Sequence, residues 1–80
     1  MYTVYVLRSL EGRKFYTGKT VDLARRLKEH NSGKSYYTRR YAPWEIVYKE
    51  EVESEAEASK REKYLKLHAG RDWLKRKINL

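Results

Sequence analysis

Two tyrosines, an arginine and a histidine are the side chains through which this chain could do chemistry. Tyr5 and Tyr16 lie in two neighbouring segments of strand-like composition, and Arg26 and His30 follow one helical turn apart. A single acid, Glu62, stands in a later segment crowded with lysine and arginine. Two phenols, a guanidinium, an imidazole and a carboxylate are the groups needed to cut a phosphodiester beside one bound metal ion.

Glu62 has an unusual predicted position for an acid. Helical spacing places on one face the residues Ala58, Glu62, Leu65 and Ala69. That face has the smallest and most apolar side chains, so it should meet the sheet, where a carboxylate needs a partner or a metal. Because Mg²⁺ and Mn²⁺ keep several waters and take few protein ligands, Glu62 could anchor one such ion. The alternative is an intrahelical pair with Lys66.

Arg26 and His30 lie beside an apolar helical stripe that contains Leu23 and Leu27. A half-buried guanidinium at Arg26 can hold a phosphate through two parallel hydrogen bonds, whereas Arg25 should lie on the solvated face. His30 closes the stripe. Two roles of this imidazole are open: it could be packed and purely structural, or it could contact a phosphate or a phenol.

The two tyrosines also have a structural interpretation, because eight tyrosines and two tryptophans must fill much of a small core. A free phenol has a pKa of about 10. A nearby guanidinium and a dication would lower that pKa, and the phenol could then deprotonate an attacking water. Whether Tyr5 and Tyr16 share a face of the sheet depends on the hairpin register, which the sequence leaves open.

The strands that would carry the tyrosines follow from composition. Tyr2 to Leu7 and Lys14 to Gly18 predict two strands joined by a turn over residues 9–13, and Trp44 to Tyr48 predicts a third. Between the first helix and the third strand, Lys34 to Pro43 reads as a basic loop that carries tyrosines. Cations that neutralise phosphates and rings that stack on unpaired bases are typical of single-strand binders, although such rings can equally pack on the domain edge.

Three helices complete the predicted order β-β-α-β-α-α, an α+β fold with a small three-stranded antiparallel sheet flanked by helices. The first begins at Asp22 or Thr20 and ends at Gly33. A capping box over residues 54–57 starts the second, which should run to about residue 67 or 68. Gly70 should break it, and residues 71–78 should form the last helix.

The length and net charge of the chain limit the classes of partner that we expect for it. Eighty residues predict one domain, 1–80, and a net charge of +8 predicts a polyanion, with nucleic acid and above all DNA as the first candidate. The basic segments lack the broad apolar face that membrane binding needs. Without cysteine or a long apolar run, we expect a cytoplasmic protein that makes no membrane contact.

Together these residues resemble the GIY-YIG nuclease superfamily, and its small standalone bacterial members in particular. The two signatures stand here as Thr3-Val4-Tyr5 and Tyr16-Thr17-Gly18, so both departures from the family pattern spare the tyrosine. The resemblance continues through Gly18 to Asn31, the family's first helix, and through the basic Arg39-Arg40-Tyr41-Ala42-Pro43-Trp44. It extends to Ala58 to Lys66, the family's metal-binding helix, and runs nearly the whole length of the chain.

The resemblance implies a DNA endonuclease of low sequence specificity that uses one Mg²⁺ or Mn²⁺, of which repair is one conceivable setting. Tyr5 or Tyr16 would activate water, Arg26 would hold the phosphate, Glu62 would hold the ion and His30 would bond a phenol or the phosphate. We further expect contacts to nucleic acid, single-stranded or branched DNA foremost, from Lys19, Arg25, Lys34, Tyr36, Tyr37, Arg39, Arg40 and Lys66.

Two other functions stay open at this stage. One is a non-catalytic module on the same fold that binds DNA or structured RNA, and the other is an interaction domain for an acidic protein. The acid at Glu62 favours the nuclease, because a pure binding surface gains nothing from a negative charge among its bases. The oligomeric state, the pathway and the preferred ion are likewise open.

Overall fold

The computed structural model describes residues 1–10, 14–34 and 36–78. Within these ranges the elements are β1 (Tyr2–Ser9), β2 (Phe15–Thr20), α1 (Leu23–Ser32), a short 3₁₀ helix (Thr38–Tyr41), β3 (Trp44–Val52), α2 (Glu55–Lys66) and α3 (His68–Ile78). The strands form one antiparallel sheet in the order β2-β1-β3. The predicted α+β fold and its element order are thereby confirmed. Across the described residues, no helix combines the length and apolarity that crossing a bilayer requires.

The central strand β1 is buried from both sides, and its alternating side chains build two cores. Val4 and Val6 point to one face, where they pack with Ala58, Leu65 and Leu74 of α2 and α3. On the other face, Tyr5 and Leu7 pack with Trp44, and Tyr16, Leu23, Leu27, Tyr41 and Ala42 lie against them. The sheet therefore separates α1 from the α2–α3 pair, and β2 forms one open edge between them.

Local capping sets the helix ends near where the sequence predicts them. Asp22, rather than Thr20, caps α1 by accepting a hydrogen bond from Arg25 N, and Gly33 ends it in the left-handed conformation at φ 90°. Ser54 caps α2 and accepts from Glu57 N at 3.2 Å. Each of these ends is decided by bonds within a few residues, which is why a sequence pattern can find them.

Gly70 does not break a helix, so that prediction is wrong. The chain turns at Leu67, whose ψ is 160°, and Gly70 lies buried inside α3. A Cβ on Gly70 would collide with the backbone of Tyr64 and Leu65 at the end of α2. The glycine thus serves close packing of α3 on α2. Because the chain turns at Leu67, Ala69 lies exposed in α3 instead of on the buried face of α2.

Other boundaries also differ from the prediction: β1 continues to Ser9, β2 spans Phe15–Thr20 instead of 14–18, and the last helix begins at His68 instead of residue 71. The segment predicted as a loop from Lys34 to Pro43 contains the 3₁₀ helix, whose Thr38 is fully buried. The third strand continues four residues past Tyr48, paired with β1. The turn predicted over residues 9–13 includes residues 11–13, which lie outside the described residues.

Candidate active site

The hairpin register brings the two tyrosines to the same face of the sheet. Tyr5 stands opposite Gly18 and Leu7 opposite Tyr16, so the two phenols occupy a diagonal of the β1–β2 pair. Their ring centroids are 6.3 Å apart. A Cβ on Gly18 would lie 2.7 Å from the Tyr5 hydroxyl oxygen and 3.0 Å from the Tyr16 ring. The absence of a side chain at Gly18 is therefore what gives the phenols room.

His30 bonds the Tyr5 phenol and is itself shut off from solvent. Its Nε2 lies 3.0 Å from the Tyr5 hydroxyl, and its Nδ1 lies 2.8 Å from Thr38 Oγ1. The imidazole is 0% exposed and its centroid is 4.7 Å from that of Tyr16. Of the two roles open for His30, the bond to a phenol is the one present. A side chain so enclosed can hold the Tyr5 phenol in place.

The 3₁₀ helix supports His30 through a second layer of hydrogen bonds. The Trp44 indole donates to the Thr38 carbonyl at 2.7 Å. The Asn31 side chain accepts from Trp44 N at 2.6 Å and donates to Trp44 O at 3.2 Å. Since α1, the 3₁₀ helix and the start of β3 are tied together at His30, the imidazole has little freedom to rotate.

Burial shifts the pKa values of His30 and Tyr5 in the directions that favour their neutral forms. Desolvation, and then the positive charge of Arg26, lower the pKa of His30 to about 4, so the imidazole is neutral at pH 7. A neutral imidazole donates through one nitrogen and accepts through the other, so the Tyr5 and Thr38 hydroxyls take opposite roles towards it. Burial raises the pKa of Tyr5 to about 12, and the neighbouring Tyr16 and more distant Glu62 act in the same direction.

Arg26 reaches the phenols from α1. Its guanidinium donates to Glu29 Oε1 at 2.9 Å, and its side chain is 33% exposed. The bond to Glu29 raises the pKa of Arg26, with the two tyrosines adding to that rise. Arg26 also favours the ionised form of Tyr5, because it lowers the pKa of that phenol against the effect of burial. A fixed cation beside two phenols is a ready contact for a phosphate.

Glu62 reaches strand β2 from the face of the sheet opposite to the one that carries the two phenols. Lys19 pairs with Val4 in the register, which places it on the α2 side, and its Nζ lies 3.6 Å from Glu62 Oε1. Lys66 Nζ lies 2.9 Å from Oε2. The intrahelical pair considered as an alternative is therefore formed. The carboxylate still lies at the open edge of the sheet, within electrostatic range of Tyr5.

Six of the eight predicted nucleic-acid contacts form an exposed border on the α1 side, whereas Lys19 and Lys66 lie beside Glu62 on the other face of the sheet. Exposed members are Arg25, Lys34, Tyr36, Tyr37, Arg39 and Arg40. The Tyr37 ring lies 6.3 Å from Tyr16 and 5.7 Å from Tyr41, and the Arg39 guanidinium lies 4.9 Å from the Tyr36 centroid. Tyr36 is 72% and Tyr37 48% exposed, so both rings offer a face to solvent. Aromatic and basic groups thus run outward from Tyr16.

Three residues of the site went unnoticed in the sequence. Glu29 orients Arg26, and the spacing of three residues on one helix could have revealed it. Thr38 bonds His30 and Trp44 fixes Thr38, yet no local pattern links these residues, because the bonds form only when the 3₁₀ helix folds over α1.

Comparison with known proteins identifies a family and several relatives of this chain. A family model described as the GIY-YIG catalytic domain matches residues 1–79. The chain is 43% identical over 65 residues to the UPF0213 protein DP2720 of Desulfotalea psychrophila, across 79% of this chain and 58% of that protein. It is 40% identical over 67 residues to the UPF0213 protein VNG_2274C of Halobacterium salinarum, across 82% and 86% of the two chains.

A solved structure shows the same fold. The solution NMR structure of the UPF0213 protein BH0048 from Bacillus halodurans superposes with a TM-score of 0.54 at 36% identity, covering 91% of this chain and 80% of that one. The likeness therefore extends over most of this chain. The chain belongs to the GIY-YIG family of nuclease-type catalytic domains, as its sequence resemblance indicates.

Proposed function

We propose that this protein hydrolyses phosphodiester bonds in DNA with the help of one divalent metal ion. The observation that carries the proposal is the convergence of Tyr5, Tyr16 and Arg26 on one face of the β2 edge with Glu62 on the other. A phosphate at that edge would meet the guanidinium on one side and the carboxylate on the other. Family membership supports the same reaction class.

Each group has a role that its surroundings allow. Arg26, held by Glu29, would bind the scissile phosphate and offset the charge that develops on it. Tyr5 or Tyr16 would orient and deprotonate the attacking water. Tyr5 is almost fully buried and bonded to His30, and burial raises its pKa to about 12, whereas Tyr16 is half-buried, so of the two phenols we propose Tyr16 as the base. His30 would keep Tyr5 in place.

Glu62 fits a metal ligand by its chemistry and position. A hard carboxylate oxygen suits Mg²⁺ or Mn²⁺, which complete their shells with water and phosphate oxygens. Among the described residues no group of three or more acids or histidines surrounds a common point, so the ion would take most of its ligands from water and the substrate. A bound ion would supply Lewis-acid stabilisation of the leaving oxygen.

A cleavage assay tests the proposal directly. Plasmid and oligonucleotide DNA would be incubated with Mg²⁺, Mn²⁺ or a chelator, using the wild-type chain, Glu62→Gln and the control Glu55→Gln. Glu55 is an exposed acid on the same helix, so its loss removes the same charge away from the site. We expect metal-dependent cutting by the wild type and by Glu55→Gln, and a loss of at least about a hundredfold in Glu62→Gln. Cutting by Glu62→Gln at the normal rate would refute the metal assignment.

The exposed rings favour substrates with unpaired bases. Stacking on an aromatic side chain is worth about 1–3 kcal/mol per base and does not depend on sequence, which suits Tyr36 and Tyr37. We therefore propose single-stranded or branched DNA over plain duplex. Matched single-stranded, duplex and flap oligonucleotides should be cut at different rates, and equal rates on all three would remove this preference.

A non-catalytic nucleic-acid-binding module is the second candidate, and the ion pairs of Glu62 are the observation that favours it. A carboxylate already paired with Lys19 and Lys66 can be purely structural. This candidate predicts salt-sensitive DNA binding, no DNA cleavage with any divalent metal ion, and no loss of DNA binding in Glu62→Gln.

A further inference from the structure

Both carboxylate oxygens of Glu62 are in contact with a lysine. Lys66 Nζ lies 2.9 Å from Oε2, and Lys19 Nζ lies 3.6 Å from Oε1. The Glu62 side chain is only 20% exposed, whereas Lys66 is 52% exposed. The oxygens assigned to a metal ion in the proposed function are thus already shared with two ammonium groups.

These contacts set up a competition between cations. One carboxylate and two ammonium groups leave the edge of the sheet with a local charge of +1. A dication that approaches Glu62 must displace ammonium groups and also meets their repulsion. The Lys66 pair has the favourable orientation, with the glutamate four residues before the lysine on one helix. The protein alone should therefore bind a divalent ion weakly.

A nucleic-acid phosphate would reverse this balance. Lys19 lies at the β2 edge and Lys66 extends from α2 beside it, so both ammonium groups can turn from the carboxylate to a phosphate placed there. Lys66 is exposed and Lys19 is half-buried, and ion pairs near the surface contribute only about 0–1 kcal/mol, so such a change costs little. The incoming phosphate also brings negative charge and further oxygen ligands.

We propose that Lys19 and Lys66 hold Glu62 as internal counterions and release it to the metal ion when a nucleic-acid phosphate takes their place. Metal and nucleic acid then bind cooperatively, and by linkage each raises the affinity of the other by the same factor. Lys66 is the more exposed partner and sets much of this coupling. The inference rests on the proposed function, because it takes Glu62 as the metal ligand.

Mn²⁺ titration followed by electron paramagnetic resonance tests the coupling without relying on turnover. The proteins are the wild type, Lys66→Met, Lys63→Met and Glu62→Gln, each with and without a saturating single-stranded oligonucleotide whose integrity is checked on a gel. Lys63→Met is the matched control, because it removes the same charge from the same helix at a position that does not face Glu62.

In the protein alone, Lys66→Met should bind Mn²⁺ about two- to fivefold more tightly than the wild type, and Lys63→Met should match the wild type. With oligonucleotide present, the wild type should gain affinity and the advantage of Lys66→Met should shrink. Equal Mn²⁺ affinity in Lys66→Met and Lys63→Met would overturn the counterion role while leaving the nuclease proposal intact. Mn²⁺ bound by the oligonucleotide alone is measured and subtracted. An Mn²⁺ affinity that is then unchanged in Glu62→Gln, or no Mn²⁺ bound by any of the proteins beyond that of the oligonucleotide, would overturn both.

Discussion

At the scale of single residues, His30 explains why two phenols can stay ordered beside a guanidinium. An unbonded hydroxyl in this core would cost about 1–3 kcal/mol, and His30 satisfies Tyr5 and Thr38 at once. The neutral imidazole also avoids placing a second positive charge next to Arg26, whose charge is among the causes that lower the pKa of His30. The histidine is thus matched to its neighbours by charge as well as by shape.

The lowered pKa of His30 predicts an acid-labile fold. Between the unfolded value near 6.5 and the folded value of about 4, the unfolded chain binds the proton and the folded one does not. Stability therefore falls as the pH drops through this window, by an amount on the order of 3 kcal/mol. Urea unfolding at pH 7 and pH 4.5 should show this loss in the wild type and a smaller loss in His30→Gln.

Carboxylates such as Glu50 are common to both proteins, so their contribution cancels in the comparison. Burial raises the pKa of Glu50, but its bonds to Arg61 and Tyr48 lower that pKa by more. The same pH loss in His30→Gln and in the wild type would contradict the assignment. If His30→Gln does not fold, an NMR titration of the wild-type imidazole gives the pKa of His30 directly. A midpoint near 6.5 would then be the contradicting result.

At the scale of elements, α2 must hold a fixed rotation for Glu62 to reach β2, and two contacts fix it. Arg61 donates to both oxygens of Glu50 on β3, at 2.6 and 3.0 Å, and its guanidinium lies over the rings of Tyr64 and Trp73. At the other end of α2, Gly70 allows α3 to pack against its last turn. The residue next to the proposed metal ligand is therefore itself a structural anchor.

Gly70→Ala should destabilise the fold although alanine is the better helix former. The added Cβ meets the backbone of Tyr64 and Leu65, which cannot move without shifting α2, so we expect a loss of more than about 3 kcal/mol. Gly33→Ala is the comparison: its Cβ would have room, at 3.8 Å from Arg39, but a φ of 90° should cost about 1–2 kcal/mol. Urea denaturation measures both, and a Gly70→Ala protein as stable as the wild type would contradict the packing role.

These two glycines show what the sequence could and could not predict. Gly33 ends α1 through a backbone conformation that depends on its neighbours alone, so a local pattern found it. Gly70 carries the same local signal, yet a contact with another helix decides its role, and the prediction of a helix break was wrong. The same distinction holds in the site, where the Arg26–His30 spacing was visible on one helix while the Thr38 bond to His30 depends on tertiary folding.

At the scale of the whole molecule, a net charge of +8 attracts any polyanion, but the proposed substrate path uses only part of the surface. The Tyr36–Arg40 segment borders the phenols on the α1 side of the sheet. The last turn of α3, with exposed Arg76 and Lys77, lies in the element that packs on the other face. Both regions are basic, so charge alone does not distinguish them.

The salt dependence of DNA binding can distinguish direct phosphate contacts along the proposed substrate path from a general attraction to the positive charge of the protein. For single strands, log K falls with log[salt] by about 0.7 for each phosphate neutralised, so Arg39→Gln/Arg40→Gln should lower the slope by about 1.4 if each arginine contacts one phosphate. Arg76→Gln/Lys77→Gln removes the same net charge and should leave the slope unchanged, because long-range attraction is largely screened beyond about 10 Å at 0.1 M salt. Fluorescence anisotropy over a salt series measures both slopes. Equal reductions in the two variants would mean that DNA has no preferred face, and the aromatic border beside Tyr16 would then lose its proposed role.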